Sequence, residues 1–223
     1  MRVRRTVAPI IFACATILSS CPAIAQFSQQ GPKLVGTGAV GNAVQGCSLS
    51  LATDGDTAIV GGWEDEGGVG AAWVWTRSGG VWTQQGPKLT GSGAVGSARQ
   101  GFSVSVSADG DTAIIGGPGD TKSAGAAWVW TRSEGVWTQQ GPKLVGIGAD
   151  GSDQQGNSVS LSADGNTAIV GGETFLGNEL GQVTETGVAF VWTRSGGVWS
   201  QQGDKLVGSG DVGYSVEGAL HTK

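Results

Sequence analysis

Short acidic stretches recur in this chain at a fixed interval, and they are the first residues to test for chemistry. Each begins with an aspartate before a glycine and adds a second oxygen-bearing side chain two positions later; the six residues are Asp54, Asp56, Asp109, Asp111, Asp164 and Asn166. Paired carboxylates are ligands that Ca²⁺ accepts, but Ca²⁺ takes six to eight oxygens. One such stretch supplies too few. We therefore predict that these are turn residues, and calcium binding is the alternative.

Side chains that enzymes use for acid–base or nucleophilic catalysis are scarce. The only histidine, His221, lies in the last three residues, so neither a Ser-His-Asp triad nor a Cys-His pair is indicated. Zinc sites lack ligands for the same reason. One arginine per repeat occupies an equivalent hairpin position, so these side chains cannot converge on an acidic sugar; they are Arg77, Arg132 and Arg194. The sequence predicts a protein without catalytic activity or cofactor, with an unrecognised polysaccharide-active enzyme as the alternative.

One segment changes fully between repeats while its surroundings hardly change. It begins at Trp63, Pro118 and Glu173, and the third copy carries a seven-residue insertion. All three copies follow the same strand, so we expect them to project from one rim, and loops on rigid scaffolds often bind partners. Drift of an unconstrained loop is the alternative, although exposed aromatic residues favour contact. The candidate interaction residues are Trp63, Glu64, Asp65, Glu66, Asp120, Lys122, Glu173, Phe175 and Glu179.

Residues 1–25 have the pattern of an export signal. A basic stretch precedes an apolar run from Val7 to Leu18, and Ala23-Ile24-Ala25 is a small-x-small cleavage site. In a second interpretation the residues before Cys21 form a lipobox, and Cys21 becomes the lipidated first residue. Both predict an exported protein that is periplasmic, extracellular or on the cell surface. The apolar run is too short for a lasting membrane span.

The composition of the mature chain limits its partners. Removing the three leader arginines from the 13 basic residues leaves 10 against 18 acidic ones, so the mature chain is acidic. An acidic surface repels phosphate backbones, which argues against nucleic acid as a partner. Cys47 is the only cysteine beyond the leader, so no internal disulfide is predicted. We expect the partner to be a protein or a glycan.

The chain repeats itself. Glycine accounts for 42 of the 223 residues, and a glycine content this high without a period would indicate disorder. Here there is a period of 55, since residues 70–89 and 125–144 differ at one position in twenty. A repeat of this length is typical of an array of supersecondary units, each of which buries its faces against its neighbours.

Each repeat predicts four antiparallel strands. Serine and valine alternate between Gly101 and Ser107, which indicates a strand with one apolar and one small polar face. Asp109-Gly110 favours a hairpin. The third strand, from Ala126 to Thr131, places Trp128 and Trp130 on one face and small side chains on the other. Bulky and small faces can interlock between stacked sheets. This pattern predicts the blades of a β-propeller, and a β-solenoid is the alternative.

Three short motifs recur in every repeat and resemble a known family. In the second repeat they are Gln100–Val104, Ile115–Pro118 and Gly125–Trp130. They resemble the FG-GAP repeat, the blade unit of the integrin α-chain head propeller and of many bacterial exported proteins. The resemblance covers most of the mature chain and implies a propeller fold. It does not carry over the calcium loop that family members often have, because the corresponding stretch here is short.

The number of repeats predicts an incomplete ring. Three full repeats span about 45–99, 100–154 and 155–207, with partial blade strands at 27–35 and 213–217. Integrin-like propellers have seven blades, so we expect an open arc of about three blades with an exposed, Trp-bearing end. A truncated gene product is favoured, with closure by self-association through the open edge as the alternative.

Together these patterns predict an exported, non-enzymatic FG-GAP-like β-propeller segment over residues 26–223. It would contact a protein or a glycan through its blade-rim loops. A truncated fragment with no independent function is the further alternative.

Overall fold

The structure is a computed structural model, and it describes residues 28–149, 151–177 and 183–208, without side chains between 174 and 186. The export signal at 1–25, Phe27, Glu179 and the partial strand at 213–217 lie outside the described residues. The described chain forms three repeated antiparallel sheets. The prediction of an all-β chain built from repeated four-stranded antiparallel units is confirmed.

Each sheet follows the chain order of its strands. Sheet 1 contains β1 (Ser48–Leu51), β2 (Thr57–Gly62), β3 (Ala71–Ser78) and β4 (Val81–Gln84). Sheet 2 contains β5 (Ser103–Val106), β6 (Thr112–Gly117), β7 (Ala126–Ser133) and β8 (Val136–Gln139). Sheet 3 contains β9 (Ser158–Leu161), β10 (Thr167–Gly177), β11 (Val183–Ser195) and β12 (Val198–Gln201), and β13 (Leu206–Val207) pairs with β11. Two short helical segments, α1 (Asp65–Gly68) and α2 (Asp120–Ser123), follow β2 and β6.

Turn chemistry sets the ends of the strands. The two-residue turn between β7 and β8 has φ of 52° at Glu134 and 78° at Gly135, values that suit the tight hairpins of twisted strands. The first two strands of each repeat are joined by five residues rather than two, because the Asp-Gly pair is part of an Asx turn. In sheet 2 the Asp111 amide donates to Asp109 Oδ1 at 2.9 Å. The predicted role of these aspartates as turn residues is confirmed.

The sheets pack face to face, with indoles on one side of each joint. Trp128 and Trp130 of sheet 2 are buried against Ile59, Ala72 and Val74 of sheet 1. Sheet 3 repeats this contact on sheet 2, with Phe190 in place of the first indole. The predicted alternation of bulky and small faces is therefore confirmed at both joints. No closed ring is seen among the described residues.

The linker between two sheets seals each joint. Leu89 exchanges backbone hydrogen bonds with Ala72 of its own sheet, at 3.0 and 2.7 Å. Two residues later the chain passes over the next sheet, where a Cβ on Gly91 would lie 2.1 Å from Trp128 Cδ1. The Trp128 indole N–H donates to the Ser92 carbonyl at 2.8 Å. A side chain at position 91 would push the linker off the indole, which explains the glycine.

Two expectations about the ends of the array are wrong. Residues 28–35 form no strand, since no preceding sheet offers them a partner among the described residues. The indoles at the first end are also not exposed, because the linker-like segment 28–45 covers Trp73 and the Thr37 carbonyl accepts its N–H at 2.8 Å. Leu49 and Leu51 of β1 are exposed at that end.

Candidate functional site

The predicted rim loops begin as tight turns rather than as open loops. In α2, Thr121 and Lys122 have φ of 48° and 57°, and in α1 Glu66 has φ of 53°. L-residues seldom adopt this left-handed conformation. The surrounding contacts hold it in place, because backbone bonds tie each loop to the linkers on both sides; Thr121 N donates to Val95 O at 3.1 Å, for example.

A buried aspartate anchors each of the first two loops. Asp120 accepts the Val95 amide at 2.8 Å and the Thr121 hydroxyl at 2.9 Å, and it pairs with Lys143 of the following linker. Asp65 accepts the Val40 amide at 2.7 Å and pairs with Lys88. Both aspartates are fully buried. Their carboxylate oxygens are occupied by contacts within the scaffold, and their role as interaction residues stays a prediction.

A partly exposed cluster lies at the joint of sheets 1 and 2, and we call it the rim patch: Trp63, Arg99, Phe102 and Lys122. The Arg99 guanidinium lies 5.4 Å from the centre of the Trp63 ring. Phe102 meets Trp63 edge to face with ring centres 6.5 Å apart. Cation–aromatic and aromatic contacts of this kind hold side chains in defined positions. The patch thus presents two cations and two aromatic rings on a constrained surface.

A groove beside the rim patch adds a concave element. It has a volume of about 440 Å³ and lies between linker residues 95–99 and loop residues 119–123. Arg99 and Lys122 line it from opposite sides. Both side chains belong to exposed residues, so the groove is electropositive although the whole chain is acidic. Acidic side chains lie on the loop that follows β2. Glu64 is half-buried there, and Oε2 of the exposed Glu66 lies 3.7 Å from Lys88 Nζ.

Sequence reasoning found Trp63 and Lys122 but missed Arg99 and Phe102. Arg99 stands where the other repeats have Val44 and Gln154, and Phe102 stands where they have Cys47 and Asn157. Two positions in the otherwise constant framework therefore change residue type between repeats, and this was the available indication. Variation at a single framework position is a weaker signal than a segment that changes in full.

The third loop differs from the expectation. Its residues extend the hairpin of β10 and β11, with Glu173 opposite Gly187 and Phe175 opposite Glu185. Within the described residues, the third copy thus continues β10 to Gly177 and begins β11 at Val183. Glu173 is exposed, whereas the side chain of Phe175 and the whole of Glu179 lie outside the described residues. No described residue of the third copy belongs to the rim patch.

The arginines of the hairpins form a separate, structural series. Arg132 lies over Trp137 with its guanidinium carbon 5.5 Å from the ring centre, and its Nε donates to Asp111 at 2.7 Å. Gln85 of the preceding linker accepts the Trp137 N–H at 2.9 Å. The same stacking recurs for Arg77 on Trp82 and Arg194 on Trp199. As predicted, these arginines do not converge on one site.

The pKa is lowered at two of the turn carboxyls, Asp109 and Asp164. The hydroxyl of Ser107 donates to Asp109 and is the main cause that lowers the pKa of the Asp109 carboxyl below its ordinary value. The Asp111 amide and the charge of Arg132 act in the same direction, while burial opposes them. Ser162 and Asn166 lower the pKa of Asp164 in the same manner. These carboxylates stabilise turns and are not poised for proton transfer.

A second concave surface lies on the outer edge of the joint between sheets 1 and 2. It has a volume of about 550 Å³ and is lined by Pro87, Thr90, Trp130, Val136 and Trp137, among others. Thr90 Oγ1 and Trp130 Nε1 are buried and have no hydrogen-bond partner. Both atoms are closed to solvent, so they do not face an incoming ligand. Gln85 and Lys88 also line this cavity, but Gln85 Oε1 already accepts the Trp137 indole N–H and Lys88 pairs with Asp65. The cavity therefore offers mainly apolar surface, and its polar side chains are engaged within the scaffold.

No cluster of three or more metal-ligating side chains exists within the described ranges. In the same ranges, no helix combines the length and the apolar character needed to cross a membrane.

Comparisons with known proteins add little. No protein-family model matches the chain, and no curated protein matches it significantly. Among solved structures, the chain is similar to hydrazine synthase from Kuenenia stuttgartiensis, with a TM-score of 0.30 and 12% identity. The match covers 77% of this chain and 61% of the hydrazine synthase chain, so this chain spans less than two thirds of the length of hydrazine synthase. At this TM-score the likeness supports no statement about fold or function.

Proposed function

We propose that the chain is an exported, non-enzymatic binding protein of the FG-GAP type, built as a segment of a β-propeller, and that it contacts its partner through the rim patch. The propeller assignment is supported by three four-stranded antiparallel units that stack face to face. Export is supported by the residue pattern of the leader. The partner is a protein or a glycan that carries negative charge.

One observation carries the proposal of binding at the rim patch. Trp63 is half-buried between Arg99 and Phe102 although each of these residues is unique to its repeat. Repeat scaffolds copy the residues they need for packing, so three unique side chains gathered at one joint are not required by the fold. Aromatic residues and arginine are the types enriched at binding hot spots. The combination therefore favours recognition over packing.

The charge of the rim patch indicates what it would bind. Arg99 and Lys122 line one groove, and neither makes an ion pair among the described residues. A carboxylate placed between them would gain charge-assisted hydrogen bonds from both sides. A flat ring or sugar face could lie against the exposed edges of Trp63 and Phe102. Polyanions with repeated carboxylates, such as polygalacturonate or polyglutamate, are the simplest probes of this chemistry.

Calorimetric titration of the mature chain with these two probes tests the proposal. We expect binding to at least one of them at low salt, weakened by added salt because exposed charges are screened. Lys122→Glu and Arg99→Glu should each weaken binding by roughly tenfold, since each reverses a contact charge. Dextran, which is uncharged, should not bind.

The matched control is Val81→Glu, which adds the same charge on an exposed outer hairpin. This variant should bind like the unaltered chain. If neither polyanion binds, or if Val81→Glu weakens binding as much as Lys122→Glu does, the rim patch is not the binding surface.

A further inference from the structure

Two sheet faces in the described chain have no partner, one at each end of the array. We call the first the leucine face: Leu49 and Leu51 of β1 with Ala58 and Val60 of β2. Leu49 and Leu51 are 72% and 55% exposed, whereas Val104 and Val106, their equivalents in sheet 2, are both 8% exposed. Side chains that are buried inside the array are thus open to solvent at this end.

The second we call the isoleucine face: Ser158, Ser160, Ile169, Ala189 and Val191 of sheet 3. Ile169 is 43% exposed, while its equivalents Ile59 and Ile114 are 1% and 0% exposed. Both serines are exposed as well. Contiguous apolar surface of this kind on a soluble protein marks an interaction site or an aggregation hazard.

The two faces are the separate halves of a joint that the chain already makes twice. Between sheets 1 and 2, Ser48 Oγ donates to Gly101 O at 2.8 Å and Ser50 Oγ accepts the Val106 amide at 3.2 Å. The joint between sheets 2 and 3 repeats both bonds, at 2.7 Å from Ser103 to Gly156 and at 3.1 Å from Leu161 to Ser105. Both joints therefore have the same apolar packing and the same two hydrogen bonds.

The same two bonds can form between the free faces. Ser158 and Ser160 occupy the positions of Ser48 and Ser50, and Gly46 and Leu51 occupy the positions of Gly101 and Val106. A Cβ on Gly46 would meet nothing within 4 Å, whereas one on Gly101 would lie 2.2 Å from Ala71 O. The space beside Gly101 is filled by the backbone of sheet 1, whereas the equivalent space beside Gly46 at the leucine face is empty.

We propose that a second copy of this chain docks head to tail, with its leucine face on the isoleucine face of the first. The contact is heterologous, since it joins two different surfaces, and each added copy presents a fresh face. It is directional because neither face is complementary to itself: each lacks the half that the other provides. The inference does not depend on binding at the rim patch.

One segment must move when the faces meet. Residues 30–36 and 202–208 have nearly the same sequence and both correspond to linker residues 85–91. A joint has room for one linker, which pairs with the sheet before it and covers the indole of the sheet after it. The strand β13 holds only two residues, and both are exposed. We therefore place residues 30–36 of the incoming copy in the joint, where they displace β13 of the first copy.

Sedimentation of the mature chain over the micromolar range tests the proposal, using Ile169→Glu to block one face and Leu49→Glu to block the other. The unaltered chain should form species larger than a monomer as its concentration rises. Each variant alone should remain monomeric. An equimolar mixture of the two should form a 1:1 dimer and nothing larger, because each variant keeps one competent face.

Val136→Glu is the matched control, because it places the same charge on an exposed outer hairpin and should associate like the unaltered chain. Circular dichroism checks that all variants fold, and Ile169→Ser with Leu49→Ser repeats the mixing test without a charge. A monomeric unaltered chain would overturn the proposal, and it is the result expected if residues 209–223 cover the isoleucine face instead. A mixture that stays monomeric, or two variants that still associate alone, would also overturn it.

Discussion

Replacing Trp128 with alanine should lower the free energy of unfolding by about 3–5 kcal/mol, which is the usual cost of removing a buried large aromatic side chain. Trp128 is fully buried at the joint of sheets 1 and 2. The variant also leaves the Ser92 carbonyl without the indole N–H that it accepts, and an unmade hydrogen bond of this kind costs about 1 kcal/mol more. Urea denaturation followed by circular dichroism measures the change.

The control for this prediction is Val136→Ala in the next strand, β8. Val136 is largely exposed, so its truncation should change the free energy of unfolding by less than about 0.5 kcal/mol. A loss below about 1 kcal/mol for Trp128→Ala would mean that the indole does not fill the joint.

Replacing Lys143 with methionine should cost about 3–5 kcal/mol, because it leaves the buried carboxylate of Asp120 without its cation. The Val95 amide and the Thr121 hydroxyl still donate to Asp120, but they supply no positive charge. The same denaturation experiment measures the loss. Adding Asp120→Asn to Lys143→Met should recover part of it, since an amide carries no charge to bury.

Lys33→Met is the matched control, because Lys33 occupies the same linker position before sheet 1. Lys33 is exposed, and no ion pair to it is seen in the described part of the chain. The free energy of unfolding of Lys33→Met should therefore differ from that of the unaltered protein by less than about 0.5 kcal/mol. Equal losses for Lys33→Met and Lys143→Met would show that the lysine stem, rather than the buried ion pair, stabilises the loop.

The sheets and their faces could be predicted from the sequence because they depend on local periodicity. The alternation in Ser103–Val106 sets which side chains share a face, and the spacing of Trp128 and Trp130 places both indoles on one side. A period of 55 then repeats that arrangement. The packing of indoles against small side chains followed from these patterns without knowledge of any distant contact.

The rim could not be predicted to the same degree, because its residues are positioned by contacts between distant segments. Asp120 looked like an exposed loop residue, yet its cation lies 23 residues later in the next linker. The recurrence of Lys88, Lys143 and Lys205 at one linker position was the available signal. The extended hairpin of β10 and β11 was missed because an insertion alone does not reveal whether its residues will pair.

Hydrogen exchange of the indole N–H groups, resolved by nuclear magnetic resonance, tests the stacking of the sheets most directly. Trp128 donates to the Ser92 carbonyl at the joint of sheets 1 and 2, and Trp73 donates to the Thr37 carbonyl beneath segment 28–45. Their exchange should therefore require opening of the structure and be slower than that of free tryptophan by orders of magnitude. Single Trp→Phe variants assign the signals. Exchange of both indoles at the rate of free tryptophan would show that they face water, and would contradict the face-to-face packing of the three sheets.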